Sequence, residues 1–304
     1  MRIAIATVAA LLLLPTAVHA KGDPTTKALT ALVTTQVGGL TPMSGEEGVP
    51  EATYADGARF SALGDQGDEP DVDATTLADA VIGPGGPVAS KVKALRITLA
   101  ADGASAIVSF DAWFKVKYDV SGDLPELTVR ASEVAVKTAA GWRIAGGAWS
   151  GAQPNAPVNA AAQKGTLTLA AIPAAAEDAD ARAALDALIA SGVDAPAAKR
   201  ASLVAIGSGP KELTSSGAVL AKAWKGGWLG KVVIDGATRA VVAPSGTVAW
   251  VTADVRLTKT KGKASYAIPF RLFTVFEKVG GAWSLVHAHF AVPPPSGDHR
   301  VITG

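Results

Sequence analysis

Apolar and polar residues alternate along most of this chain, and helical spacing is confined to short segments between the alternating runs. Leu29, Leu32 and Val33 predict a helix over residues 27–37 that stops at Gly38-Gly39. Residues 41–73, rich in Gly, Pro and acid, read as irregular. A short helix over 74–81 ends at the breaker Gly83-Pro84-Gly85-Gly86-Pro87. Strands follow at 92–99, 106–118 and 126–137, the last turning at 139–141 into another at 142–149. The Pro/Ala/Asn/Gly stretch 151–165 reads as a linker. The order then recurs: a helix over 181–190 behind Glu177, Asp178 and Asp180, a short apolar run at 203–206, and helical spacing at 219–224 broken by Gly226-Gly227. Strands are predicted at 231–234, 238–242, 247–257, 265–277 and 283–292, and Pro293-Pro294-Pro295 ends the series because proline cannot donate to a ladder.

The two halves register at an offset of 141. Arg130, Val134, Lys137 and Trp142 fall on Arg271, Val275, Lys278 and Trp283, four identities in the thirteen positions 130–142. Phe110, Ala112, Phe114 and Val116 fall on Val251, Ala253, Val255 and Leu257, one apolar strand face in both halves. Asp111 and Asp254 fall at non-equivalent positions at this offset. The pattern predicts an internal duplication: a first domain over 21–155, a linker over 156–176, a second domain over 177–296 and a tail over 297–304.

Residues 1–20 stand outside that fold. Arg2, the largely apolar twelve-residue stretch 3–14 and the small-residue site Ala17-Val18-His19-Ala20 read as a signal peptide cleaved after Ala20, since a membrane span needs about 20 apolar residues. Export through the Sec route, to the periplasm or the exterior, is the expectation. The chain has no cysteine, which excludes disulfides, thiolate chemistry and a lipid-anchored start. With 28 basic against 27 acidic residues there is no basic footprint for nucleic acid and no polybasic membrane patch.

The order of elements, closing in G-x-W-x-x-x-H-x-H from Gly281 to His289, resembles the SnoaL-like branch of the nuclear transport factor 2-like superfamily. Residues 204–212 (VAIGSGPKE), the strand beginning at Arg271 and residues 282–289 (AWSLVHAH) carry the resemblance, closely over 178–295 and loosely over 25–155. It implies an α+β fold of two cone-shaped domains, each a strongly curved antiparallel sheet wrapped on helices, packed through their sheets as an intrachain pseudo-dimer in a monomeric chain. In the first half Gly146 and Ala148 stand where His287 and His289 stand in the second, so imidazole chemistry belongs to the second cone alone. The fold hosts isomerases, dehydratases, cyclases and modules without activity, so it does not choose a function.

His287 and His289 are two apart on a strand and share one face. If that face lines a pocket, the imidazoles beside Arg271 suit polarising a carbonyl or binding an anion; on the outer face they pack at the domain contact. Arg271 and Arg130 need a paired acid or a bound anion if buried, and Asp254 or Glu277, and Asp111 or Glu133, are the nearby acids. Asp254 in an apolar cone is a candidate base, and Trp250 or Trp228 at a cone mouth suits a flat apolar ligand. His299 lies on the tail beyond the prolines, and neither it nor the acidic run Asp65, Asp68, Glu69, Asp71 and Asp73 has metal-ligand spacing. The acidic run reads as a solvated loop, and no metal or other cofactor is expected. Ser208-Gly-Pro-Lys211 and Gly83-x-Gly85 lack the context of their motifs. The leading expectation is an exported, non-enzymatic module that binds a small apolar or carboxylate ligand, or a peptide, in the second cone. The alternatives are a lyase or isomerase using His287 or His289 with Arg271 or Asp254, and a purely structural protein.

Overall fold

The computed structural model describes residues 22–40, 48–64, 67–83, 86–117, 125–175, 177–191, 203–209, 212–214 and 231–295. The candidate signal peptide, the helical stretch 219–224, Trp228 and His299 lie outside the described residues. Among the described residues the fold is mixed α+β, with two sheets and few helices. The first half runs α1 (Pro24–Gly39), β1 (Tyr54–Gly64), β2 (Gly67–Asp73), α2 (Leu77–Ile82), β3 (Gly86–Leu99), β4 (Ser105–Lys117), β5 (Glu126–Thr138) and β6 (Gly141–Gly151). Then come α3 (Asn155–Lys164), α4 (Ala179–Ser191), β7 (Val204–Ile206), β8 (Leu213–Thr214), β9 (Lys231–Val242), β10 (Val248–Lys261), β11 (Ala264–Val279) and β12 (Ala282–Ala291). Among the described residues no helix is long and apolar enough to cross a membrane.

Each half forms one six-stranded sheet, ordered β2-β1-β6-β5-β4-β3 and β8-β7-β12-β11-β10-β9. The two orders are the same once the second is counted from β7. Both sheets pair their first strand parallel to their last, β1 with β6 and β7 with β12. Both shift register at one matching point: between Val134 and Ala135 against β6, and between Val275 and Phe276 against β12. Helix α1 starts where Asp23 accepts from the amides of Thr25 and Thr26, and it buries Leu29, Val33 and Val37 inside the first sheet. Phe110, Ala112, Phe114 and Val116 of β4 join that core, while α3 and α4 pack with Val251, Val255 and Leu257 of β10 in a second one.

Three expectations need correcting. Residues 41–73 are not irregular throughout, because they contain β1 and β2. The alternation of β1 is hidden by Asp56-Gly57, where Gly57 has φ +70° and the pairing with β6 shifts register. The acidic β2 is an edge strand, a place that tolerates Pro70 and charge. The runs 231–234 and 238–242 are one strand, β9, broken in register around Asp235-Gly236 rather than in chain direction. The stretch read as a linker holds α3, whose Val158, Ala161 and Ala162 recur at helical spacing and whose end is Gly165 in the left-handed region.

The offset of 141 also fails on one strand. Arg130 lies opposite Asp111 and Arg271 opposite Asp254, so Asp111 and Asp254 are equivalent, 143 residues apart. The β4–β5 hairpin is two residues longer than the β10–β11 hairpin between these pairs. An even difference preserves side-chain parity, which is why the apolar faces still aligned.

Gly146, between its neighbouring strand and Trp250 of the other sheet, leaves no room for a side chain. A Cβ there would lie 2.8 Å from the Arg59 carbonyl oxygen and 3.2 Å from Trp250 Nε1. Gly146→Ala should therefore cost about 1–3 kcal/mol, whereas Gly38→Ala, on α1 with nothing within 4 Å, should be neutral or gain up to about 1 kcal/mol. Urea denaturation of the two variants tests this contrast.

Candidate functional site

The two imidazoles sit in the contact between the sheets. His287 and His289 are each 1% exposed. His287 Nε2 lies 2.8 Å from Ser132 Oγ, His289 Nδ1 lies 3.0 Å from the same oxygen, and His289 Nε2 lies 2.7 Å from Ser150 Oγ. Ser132 has one proton, so it donates to one ring and accepts from the other, and either arrangement keeps both rings neutral. Burial lowers the pKa of both rings to about 3, with His287 and Arg130 adding repulsion at His289. Around this chain of hydrogen bonds Ile107, Val134, Val136 and Ala148 of the first half pack with Val248, Trp250, Phe273, Val275 and Val286 of the second. Trp250 thus stands at the sheet contact, against Gly146, rather than at a cone mouth. Neither histidine lines either groove described below. The lyase or isomerase reading needed an enclosed pocket around them, and the opposing sheet fills that space.

Arg271 is 1% exposed and is held by protein groups on every side of its guanidinium. Its Nε donates to Asp254 Oδ1 at 3.0 Å, its Nη2 to the Ala170 carbonyl at 2.5 Å, and its Nη1 to Asp68 of the first half. Burial pushes the Asp68 carboxyl up, and Arg271 pulls it back down. The second acid suggested for Arg271, Glu277, instead accepts from the Ala101 amide at 2.5 Å. Arg130 makes the corresponding reach in the other direction. Its Nη1 donates to the carbonyls of Gly207 and Gly209 at 3.1 and 2.7 Å, beside a long 3.9 Å pairing with Asp111. Asp65 lies outside the described residues, and the rest of the acidic run is no solvated loop: Asp68 pairs with Arg271, and Asp71 pairs with Arg59 and Arg239. Asp254 does line a groove of about 780 Å³ on the second half, with Arg256, Tyr266 and Pro269, but its carboxylate is already committed to Arg271.

Residues inside the first half make the other polar site. Glu133 is one position from Ser132 on β5 and therefore points to the opposite face, into the core beside α1. Its Oε1 accepts from Gln36 Nε2 at 2.7 Å and from Trp149 Nε1 at 2.9 Å. Among the described residues its Oε2, Gln36 Oε1 and the Tyr54 hydroxyl make no hydrogen bond of standard geometry, although Gln36 stands close enough to the Tyr54 hydroxyl to act on it. Glu133 and Gln36 are 0% exposed and Tyr54 is 9% exposed. Burial lifts the Glu133 carboxyl to about 7 against the two hydrogen bonds that oppose the shift. Burial and then the Glu133 charge push the Tyr54 phenol up, while Gln36 pulls it down, so all three side chains act on one another. Gly147 makes the space: a Cβ there would lie 2.7 Å from Glu133 Cγ. Tyr54 also walls a groove of about 1070 Å³, with Leu40, Ala58, Arg59, Ala78 and Arg143. Sequence reading considered Glu133 only as a partner for Arg130. The missed signal is an acid in an otherwise apolar strand stretch, facing a glutamine on the buried stripe of α1.

Two measurements follow. Arg271→Met would leave Asp68 and Asp254 buried without their cation and should cost about 3–5 kcal/mol, while Asp111→Asn, a partly exposed pair, should cost no more than about 1 kcal/mol. Both are read from urea denaturation. The second is the pH dependence. A buried histidine whose folded pKa is lowered from 6.5 to about 3 contributes stability that is present above 6.5 and is lost as the pH falls. Glu133, raised from 4.5 to about 7, does the reverse, its contribution being present below 4.5 and lost as the pH rises through 7. Between pH 6.5 and 4.5 the two effects oppose each other, so His287→Gln should flatten the acid loss and Glu133→Gln should steepen it.

Residues 168–295 match the family model described as a SnoaL-like domain. No curated protein matches the chain. Among solved structures it is similar to an NTF2-like superfamily protein from Salmonella enterica serovar Typhimurium, 17% identical with a TM-score of 0.32, over 38% of this chain and 89% of that one. An NTF2-like protein of unknown function in nutrient uptake from Rhodospirillum rubrum is 19% identical with a TM-score of 0.31, over 42% of this chain and 98% of that one. A putative calcium/calmodulin dependent protein kinase II association domain from Xanthomonas campestris is 17% identical with a TM-score of 0.33, over 41% and 97%.

Proposed function

We propose that this chain is an exported, non-enzymatic ligand-binding protein, built from two copies of one unit joined sheet to sheet as an intrachain pseudo-dimer. The first copy, over residues 21–155, receives the ligand, and the second, over 177–296, acts as its scaffold. Equivalent positions supporting the pairing recur on both sides of the sheet contact: Ala100 with Ala243, Ile107 with Trp250, Val134 with Val275 and Ala145 with Val286. A surface that meets its own counterpart in this way is the mark of a two-fold contact. The crossed reach of Arg130 and Arg271 has the same symmetry. Export is supported by the pattern of residues 1–20.

One observation carries the binding role: Tyr54, whose buried hydroxyl belongs to a polar set with Glu133 and Gln36 in the core, also lines a groove of about 1070 Å³. Buried polar groups in native proteins are almost always paired, so a set short of partners behind a groove wall marks that groove as the place for a ligand. This moves the expected site from the second half, where the imidazoles and Arg271 are engaged by protein, to the first. A second reading, proton transfer to or from the bound molecule by Glu133, is favoured by its pKa of about 7.

A thermal-shift screen against a small-metabolite library tests the role. Compounds that raise the melting temperature of the wild type should lose their effect in Ala78→Trp, which fills the groove. An absence of hits, or hits indifferent to that substitution, contradicts the proposal. Turnover of a hit that disappears in Glu133→Gln would replace binding with the second reading.

A further inference from the structure

The outer face of the second sheet carries a length of its own chain, and the matching place on the first sheet is more open. Residues 166–175 are neither helix nor strand, and Leu167, Leu169 and Ala171 share a groove with Asp254, Arg256 and Pro269 of β10 and β11. The Arg271–Asp254 pair grips their backbone. Arg271 Nη2 donates to the Ala170 carbonyl at 2.5 Å, and the Ile172 amide donates to Asp254 Oδ2 at 3.3 Å. Backbone groups two residues apart that face one way are what an extended chain presents to a sheet. Beside this segment the Asp254 side chain is 8% exposed, while its equivalent in the first half, Asp111, is 38% exposed.

We infer that the outer face of the first sheet around Asp111 and Trp113 docks an extended, acidic peptide of a partner protein, in the way the second sheet holds its own residues 167–172. The surface shares no residue with the groove at Tyr54, so it does not depend on the ligand role of that groove. Lys93, Asp111 and Arg130 lie opposite one another on adjacent strands, as do Lys91, Trp113 and Thr128, so these residues share one face. Arg130 is turned to the carbonyls of Gly207 and Gly209 and meets Asp111 only at 3.9 Å. The Asp111 carboxylate can therefore accept from a peptide amide, as Asp254 does from Ile172. Trp113 takes the place of Arg256, and Lys91, opposite it, takes the place of Val233. The indole N–H of Trp113 donates to Glu126 at 2.9 Å and Lys93 Nζ stands 5.2 Å from the ring centre, which fixes the ring as a flat apolar wall. The segment held by the second sheet, Leu167 to Ile172, has no charge. The first sheet instead presents exposed Lys91 and Lys93 on its edge strand β3, and they select a segment with acids.

Fluorescein-labelled peptides titrated into the full chain and followed by anisotropy test the inference. One has the sequence of residues 166–173, TLTLAAIP, and two others carry Glu or Lys in place of both threonines. The Glu peptide should bind about tenfold tighter than the parent and the Lys peptide weakest, through two exposed ion pairs, and the spread should shrink as salt is raised. Replacing both exposed lysines, Lys91→Glu with Lys93→Glu, should leave the fold intact and reverse the order. Asp111→Ala should weaken all three peptides about tenfold by removing the amide acceptor. Binding by none of the peptides, or binding that neither the charge reversal nor Asp111→Ala alters, overturns the inference. A dimer in sedimentation that the charge reversal dissociates also overturns it, because a second copy is then the occupant of this face.

Discussion

The structure depends on two sheets packing face against face, with polar groups inside that contact which only the opposite sheet can satisfy. Ser132 serves both His287 and His289, and Ser150 completes the set. Neutral imidazoles in a dry contact are tolerable only because each has a hydroxyl within hydrogen-bonding distance. The apolar ring around them, from Ile107 and Val134 to Trp250 and Phe273, excludes water. At the margins Arg130 and Arg271 each reach from the fifth strand of their own sheet to the hairpin beginning the other. Pulling the sheets apart would expose apolar surface and leave both arginines and both histidines short of partners at once.

This contact decides where chemistry has room. The face bearing His287, His289 and Trp250 is used up in holding the halves together. What remains for chemistry is the inner side of each sheet. In the second half that side is filled by α3, α4 and the apolar residues of β10 to β12. In the first half Thr274 of β11 is matched by Glu133, and its carboxyl meets Gln36, Tyr54 and Trp149 instead of another side chain of the apolar core. The same strand therefore does two jobs by alternation: Ser132 points out to bind the halves, and Glu133 points into the core against Gln36 and Trp149.

Much of this was written plainly in the chain. The strands with clean alternation, 106–118, 126–137 and 265–277, lie within a residue or two of β4, β5 and β11. The likeness between the halves was legible because Arg130 and Arg271 take the same strand position, each opposite an aspartate. Elements whose character comes from neighbours distant in sequence were not legible. β2 looks like an acidic loop until Arg271, Arg239 and Arg59 are set beside it. The equivalence of Asp111 and Asp254 was hidden by a two-residue difference in hairpin length, which alters count but not parity. Strand parity paired His287 with His289 correctly yet could not say which side of the sheet they occupy, because that depends on what covers each face. Glu133 was visible as a residue, but its isolation from solvent and its open oxygen are properties of the folded core.

Hydrogen exchange on the intact chain tests most directly whether the sheet contact makes the two halves a single stable unit. Amides of β5 and β6 and those of β11 and β12 should exchange only through one global opening, with the same free energy and the same sensitivity to urea in both sheets. If one sheet exchanges freely while the other stays protected, the contact does not hold the halves together and the account built on it is wrong.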